Sequence, residues 1–241
     1  MKHKSKLFLA LAALGVGLPL PGDENLRPQP ETVAAQRIDF GPGGTIRVEG
    51  SYGSLNVEGW DQPAVEMTVT KFLPLETPES ERSTERLDSV RVVAERRSAT
   101  ELAISTTLPK RHSLFSPPLP SATKNGVDME IQLRVPAKSR LAIRHGVGSI
   151  SLSGVTGDIE AACHRGDIEL WLPENGKYSI DARSRLGKVS SDFAGHSLSQ
   201  YLVGQELKNS DQGAAQKLRL RVGFGGITLK PLLPESGMAR R

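Results

Sequence analysis

The chain has 241 residues, 24% of them charged and 37% hydrophobic, a composition that excludes a disordered polymer. Aromatics make up only 5%, while glycine (24) and proline (16) are plentiful, which favours many short strands over a helical bundle. The formal charge is +4, but Lys2, Lys4, Lys6, Arg240 and Arg241 sit at the two ends, the body is close to neutral, and no basic stripe interleaved with aromatics is visible, so nucleic acid is not the expected partner.

Three lysines followed by the apolar run "LFLALAALGVGLPL" (7–20) read as an export signal over residues 1–22, because the run is too short to span a bilayer, which takes about 20 residues. Gly17 and Gly22 are candidate cleavage positions, with Val33-Ala34-Ala35 as a more distant alternative. No later stretch is apolar enough for a membrane helix, so no transmembrane anchor is expected after cleavage, and the expected location is the periplasm or the cell surface. Residues 23–36 read as a polar, proline-bearing linker.

Period-two alternation begins at Arg37. "GTIRVEG" (44–50), "GSLNVEGW" (53–60) and "AVEMTVTKF" (64–72) each place branched apolar residues on one face, the signature of half-buried strands. The charged segment Pro78–Val90 breaks the pattern and has the composition of a short surface helix. Strands resume with "VRVVAE", "ELAIST" and "VDMEIQLRVP", the last putting Met129, Ile131, Leu133 and Val135 on one side. The proline-rich stretch Pro109–Gly126 reads as a loop, since proline cannot donate to a β-ladder. The segment from Gly204 to Gln216 reads only as polar, and the tail begins at Leu232.

The most informative stretch is "GSISLSGVTGDIEAACHRGDIELWL" (148–172). Gly148, Gly157 and Gly166 recur every ninth residue, each followed by a small or acidic residue and then isoleucine. Alternation turns Ile150, Leu152, Ile159, Ala161, Ile168, Leu170 and Leu172 one way and Ser149, Ser151, Asp158, Glu160, Asp167 and Glu169 the other. A glycine corner joined to a short strand, repeated at constant spacing, is the logic of a solenoid, in which each unit buries its face only against its neighbours. The expected fold over residues 37–231 is therefore all-β, a single-stranded right-handed β-solenoid or β-helix-like stack, with a β-sandwich as the alternative. The Pro78–Asp88 segment and the C-terminal tail are candidate caps for its open ends.

Chemical motifs are few. The chain has no G-x-S-x-G, H-E-x-x-H, Walker or C-x-x-C pattern, and "GVGSIS" lacks the third glycine and the following helix of a dinucleotide loop. The two Gly-Asp pairs lack the further glycine and aspartate of calcium-binding nonapeptides. Cys163, the only cysteine, falls on the inward face and its neighbour His164 on the outward one, so the two are not expected to pair as nucleophile and base. No cofactor, metal or catalytic residue is expected. Candidate binding residues are Phe115 and Leu119 in the proline-rich loop, with Asp158 and Asp167 on the outward face. Asp158, Asp167, Arg165, Asp181, Arg183 and Arg185 would also be the raw material for the second reading, a carbohydrate-active enzyme working through an exposed acidic face.

The order "GGTIRVEGSYGSLNVEGWDQPAVEMTVTK", a charged segment, "VDMEIQLRVPAKSRLAIRHGVGSISLSGVTGDIEAACHRGDIEL" and a closing "GFGGIT" resembles the bacterial DUF4097 family of "putative adhesins", from about Ile38 to Lys230. The resemblance implies an exported β-solenoid-like protein with no established enzymatic activity and no known catalytic residues. The leading expectation is a non-catalytic envelope protein, an adhesin or binding scaffold, whose partner is an envelope protein or a surface glycan. The long Pro109–Gly126 loop and the lack of a visible cell-wall anchor depart from it.

Overall fold

The computed structural model describes residues 30–72, 87–107, 127–193, 197–200, 203–210 and 213–232. The expected signal segment, most of the charged segment, and the loop carrying Phe115 and Leu119 lie outside the described residues.

Two sheets face each other across one apolar core. Strands β1 (Pro30–Asp39), β2 (Thr45–Tyr52), β3 (Ser54–Trp60), β4 (Ala64–Phe72), β5 (Arg91–Ser98), β6 (Glu101–Thr107), β7 (Asp128–Pro136), β8 (Arg140–Val147) and β9 (Ile150–Ser153) form the first half. Strands β10 (Ile159–Arg165), β11 (Ile168–Pro173), β12 (Tyr178–Leu186), β13 (Val189–Ser191), β14 (Ser197–Gln200), β15 (Gln205–Ser210), β16 (Gln216–Phe224) and β17 (Ile227–Leu232) form the second. The eight-stranded sheet has the order β1-β4-β7-β3-β9-β11-β17-β13, and the nine-stranded sheet β14-β15-β12-β16-β10-β8-β2-β6-β5.

Aligning the two orders reveals six rungs, each with one strand in each sheet: β6/β7, β2/β3, β8/β9, β10/β11, β16/β17 and β12/β13. Neighbouring rungs pair in parallel in both sheets. The architecture is the stacked, solenoid-like one that the repeat predicts. The chain does not wind it in simple succession, however: β2/β3 lies inside β6/β7, and the last rung, β16/β17, slots between β10/β11 and β12/β13. Antiparallel strands close the ends, β4 and β1 on β7, β5 on β6, and β15 and β14 on β12. Leu87 and Val90, at the end of the charged segment, are buried.

Residues Pro30–Gln36, read from sequence as linker, are a correction: they belong to β1, paired antiparallel with β4. Backbone pairing with an existing edge, rather than an alternating pattern of its own, makes this segment a strand.

The nine-residue spacing is half a rung. Two kinds of corner alternate, and they place their positive-φ glycine differently. At the tight corner the chain passes from the nine- to the eight-stranded sheet in two residues, and Gly148 (φ 127°) and Gly166 (φ 132°) adopt conformations closed to other residues. A Cβ on Gly166 would lie 1.8 Å from the Gly148 carbonyl oxygen, and one on Gly148 1.8 Å from that of Gly53. Gly187 and Gly225 continue the column with the same close approach. Hydrogen bonds run around the corner without a break: the Gly148 amide donates to Arg165 O (2.9 Å), that of Gly166 to Phe224 O (2.8 Å) and that of Ile168 to Gly226 O (3.0 Å). Gly157 stands at the wide corner, where the chain spends five residues between β9 and β10; there Gly154 takes the positive φ (68°), and Gly157 is held by close approach instead, a Cβ on it lying 2.2 Å from the Ser139 carbonyl oxygen.

The isoleucine after each tight corner begins an inward column. Leu55, Ile150, Ile168, Ile227 and Val189 stack in register along the eight-stranded sheet. Across the core, Ile46, Leu141, Ile159, Leu218 and Ile180 stack along the nine-stranded one, and every member of both columns is buried. Each rung buries its apolar side chains against the rungs above and below, at roughly 1.5–3 kcal/mol for a fully buried aliphatic residue.

Candidate functional site

The groups with chemical potential fall into an inward polar row and two outward faces. Inside, Ser51, His145, Cys163 and Ser184 are all buried near the tight corner. Three of them do the same job. His145 Nε2 lies 3.1 Å from Gly53 O, Cys163 Sγ donates to Gly148 O (3.5 Å), and Ser184 Oγ donates to Gly225 O (2.7 Å). Each bond ties a residue three positions before one corner to the corner glycine of the adjacent rung, satisfying a carbonyl that would otherwise be buried alone. Ser51 Oγ meets His145 Nδ1 at 2.7 Å; because the Gly53 carbonyl can only accept, Nε2–H is the donor and, in the neutral ring, Nδ1 accepts from the Ser51 hydroxyl.

Serine, histidine and cysteine side by side resemble nucleophilic machinery, but the surroundings disarm them. Burial holds His145 below the ordinary histidine value, with backbone hydrogen bonds to Gly53 and Val147 opposing, and pushes the Cys163 thiol up to about 11. A thiol so far from ionisation is not a nucleophile at neutral pH. His164 is exposed on the opposite face from Cys163, as alternation predicts.

Among the sequence-predicted binding residues, Asp158 and Asp167 occupy opposite corners of one rung. Asp158 accepts from the Lys217 amide (3.0 Å) and lies 3.8 Å from Arg140, while Asp167 accepts from the Gly226 amide (2.6 Å). Each carboxylate caps the corner of a neighbouring rung. The seven residues of β10 hold them about 20 Å apart, well beyond the separation of roughly 5–10 Å at which two carboxylates share a glycosidic bond.

The two outward faces differ in how they use charge. On the eight-stranded sheet the cations are engaged: Arg37 with Glu66 (2.5 Å), Arg134 with Glu58 (3.2 Å) and Lys230 with Glu169 (2.5 Å). Arg37 and Arg134 also flank the Trp60 ring, and Lys230 lies over Trp171.

On the nine-stranded sheet, one cross-strand row reads Glu160, Arg219, Asp181, Lys208, alternating in sign. The next row towards the tight corner reads Glu49, Arg144, Ala162, Arg221, Arg183, Glu206, with its arginines consecutive apart from one alanine. Arg185 follows two residues beyond Arg183, and His164 two beyond Ala162. Arg144, Ala162, His164, Arg183, Arg185 and Arg221 line an open groove of about 550 Å³. Its floor is Ala162 and Gly223; a Cβ at Gly223 would meet His164 O at 2.5 Å, so the floor admits no side chain there. Asp181 pairs with Arg221 and fixes its guanidinium, and that bond holds the Asp181 carboxyl below its ordinary value. Arg144 and Arg185 are exposed and have no ion-pair partner among the described residues. Exposed Phe224 and Leu186 stand at the corner end of the groove; Arg165 lies over the Phe224 ring at 5.6 Å and His164 meets it edge-on at 5.9 Å.

Sequence reasoning picked out Arg183 and Arg185 but missed Arg144 and Arg221. The only signal for them was their outward position at the same distance from the glycine corner, and the insertion of β16 beside β12 brings them into one row.

Among the described residues no group of three His, Cys, Asp or Glu side chains is placed to hold a metal, and no helix is long and apolar enough to cross a membrane. No family model and no curated protein matches the chain. Among solved structures it is similar to a "putative cell adhesion protein" from Clostridium sporogenes ATCC 15579, with 12% identity, a TM-score of 0.48, and 83% of this chain and 100% of that one covered. A "putative adhesin" from Bacteroides fragilis NCTC 9343 gives 12% identity and a TM-score of 0.24, covering 84% and 98%. A "putative lipid binding protein" from Parabacteroides distasonis ATCC 8503 gives 9% identity and a TM-score of 0.20, covering 84% and 97%.

Proposed function

We propose that the protein is a non-catalytic, exported cell-envelope scaffold that binds its target through the outward face of the nine-stranded sheet. The observation that carries this reading is the arginine row. Like charges directly across adjacent strands cost stability, from a few tenths to about 1 kcal/mol per pair, and the alternating row beside it is the arrangement that stability alone favours. Arg144 in this row and Arg185 beside it have no ion-pair partner among the described residues, and a rigid stack presenting such guanidinium groups is built to receive anionic groups. The buried Ser51, His145 and Cys163, all engaged within the core, support a role without covalent chemistry. The sequence resemblance to the DUF4097 family points the same way.

Export rests on the N-terminal pattern. Cleavage near Gly22 leaves β1 intact, whereas cleavage after Ala35 would remove Pro30–Ala35 from its pairing with β4. Mass spectrometry of the mature N-terminus, envelope fractionation and protease shaving of intact cells test the reading. The expected results are a mature chain beginning before Pro30 and recovery in the periplasm or on the surface. Recovery of the full-length chain in the cytoplasm would overturn it.

A further inference from the structure

We infer that the groove between Arg144 and Arg185 holds a linear polysaccharide bearing carboxylate groups, a ligand class that rests on the scaffold reading above. Four features select this chemistry. The cations are arginines, whose planar forks bind carboxylates in two-point geometry, rather than lysines, which act as point charges. Their strand positions repeat at about 4.8 Å per strand, so Arg144 on β8 and Arg185 on β12, three strands apart, mark two ends of a track about 15 Å long, with Arg221 held between them by Asp181, a spacing suited to a polymer with a repeating charge. The floor of Ala162 and Gly223 is low and apolar, letting the carbon-rich face of a sugar ring lie against the sheet while its carboxylates reach the arginines on either side. Exposed Phe224 stands near the corner end, with Arg165 over its ring and His164, which lines the groove, against it, an aromatic neighbour for a sugar leaving the groove.

Charge complementarity also sets the limits. Glu49 and Glu206 end the row on either side, and Glu160 and Asp181 line the row beneath it, so the basic surface is a short track in a mixed field. Such a track fits a few consecutive acidic sugars better than a membrane, which would call for apolar anchors around the basic cluster; here Phe224 and Leu186 stand at one end only.

The test uses the mature chain, polygalacturonate oligomers as probe, and dextran, phosphatidylglycerol vesicles and duplex DNA as comparisons. Binding is followed by calorimetry at low and at near-physiological salt. The double variant Arg144→Gln/Arg185→Gln removes the guanidinium groups without partners, and Arg134→Gln serves as control on the other face. Melting curves establish that both variants fold. The expected result is polygalacturonate binding that weakens with salt, falls at least about tenfold in the double variant and is unchanged in Arg134→Gln, with dextran not bound. Equal affinity in the double variant, or tighter binding of vesicles or DNA than of the polymer, overturns the inference. Retention on isolated cell envelopes is measured in parallel. Arginine-dependent retention without polygalacturonate binding overturns the ligand class and leaves the scaffold reading standing. Absence of any retention, or shortening of the polymer during incubation, overturns the scaffold reading itself.

Discussion

The two outward faces of the stack are built from the same rungs, by the same alternation, and yet they treat charge differently. On the eight-stranded face Arg37, Arg134 and Lys230 each lie against a carboxylate and an aromatic ring. The nine-stranded face also has ion pairs, Arg47 with Glu101, Lys208 with Glu206 and Arg221 with Asp181, but there Arg144 and Arg185 have no ion-pair partner among the described residues, and Arg221 and Arg183 stand directly across from each other. The rung fixes where an outward side chain stands but is indifferent to its sign. Surface chemistry can thus be written onto one face without changing the core, which is what the proposed binding role requires.

The largest way to break the comparison is to remove both faces at once. Gly166→Ala puts a Cβ into the Gly148 carbonyl at a backbone angle other residues resist, and is expected to cost about 3 kcal/mol or more. In a thermal melt this appears as a fall of roughly 6–12 °C or as failure to fold, and it should abolish ligand binding together with stability. A melt like that of the parent would mean that the stack tolerates a loosened corner.

A smaller effect separates core from face. His145→Leu removes the bonds to Ser51 and Gly53 and leaves the buried Ser51 hydroxyl and the part-buried Gly53 carbonyl without that partner, at about 1–3 kcal/mol. It also carries a pH signature. Burial keeps folded His145 below its unfolded value of about 6.5, so below that pH the unfolded chain binds more protons than the folded one. The stability contributed by neutral His145 is therefore complete above about pH 6.5 and declines as pH falls towards the lower folded value. Denaturant titrations from pH 7.5 down to 5 should show the parent losing stability relative to His145→Leu, while affinity at the arginine row survives in both. A pH-independent difference would contradict the buried, neutral assignment.

The smallest effects on stability sharpen the contrast most. Lys230→Gln on the paired face should cost no more than about 1 kcal/mol, as exposed ion pairs do, and leave binding intact. Arg144→Gln/Arg185→Gln should change stability by no more than about 0.5 kcal/mol, because neither residue has an ion-pair partner among the described residues, while binding falls sharply. Equal effects of the two substitutions on binding would erase the difference between the faces.

Much of this molecule is legible in its sequence. The inward residues of the repeat, the outward position of His164 and the buried Cys163 follow from alternation alone, because a strand has only two faces. The corner motif of glycine, any residue, then a branched apolar one marks Gly148, Gly166, Gly187 and Gly225 equally well. The same letters at Gly157-Asp158-Ile159 mark a wide corner instead, and only the backbone angle tells them apart. β1 and β15 were hidden for a different reason. Each is an edge strand recruited by pairing, and β15 contributes a single fully buried side chain, Leu207, within an otherwise polar run. Least legible was the arginine row, since its residues come from β8, β12 and β16 and meet only because the last rung inserts between two earlier ones. A nearly neutral chain gave no hint of a local basic track.

Arginine-directed labelling with phenylglyoxal, read by mass spectrometry, tests the central claim most directly: the mature protein is labelled alone and then bound to envelopes isolated from its own cells. The account predicts that Arg144 and Arg185 become protected on binding while Arg37 and Arg134 label as before. Protection on the eight-stranded face, or equal labelling of all four in the presence of envelopes, would contradict it.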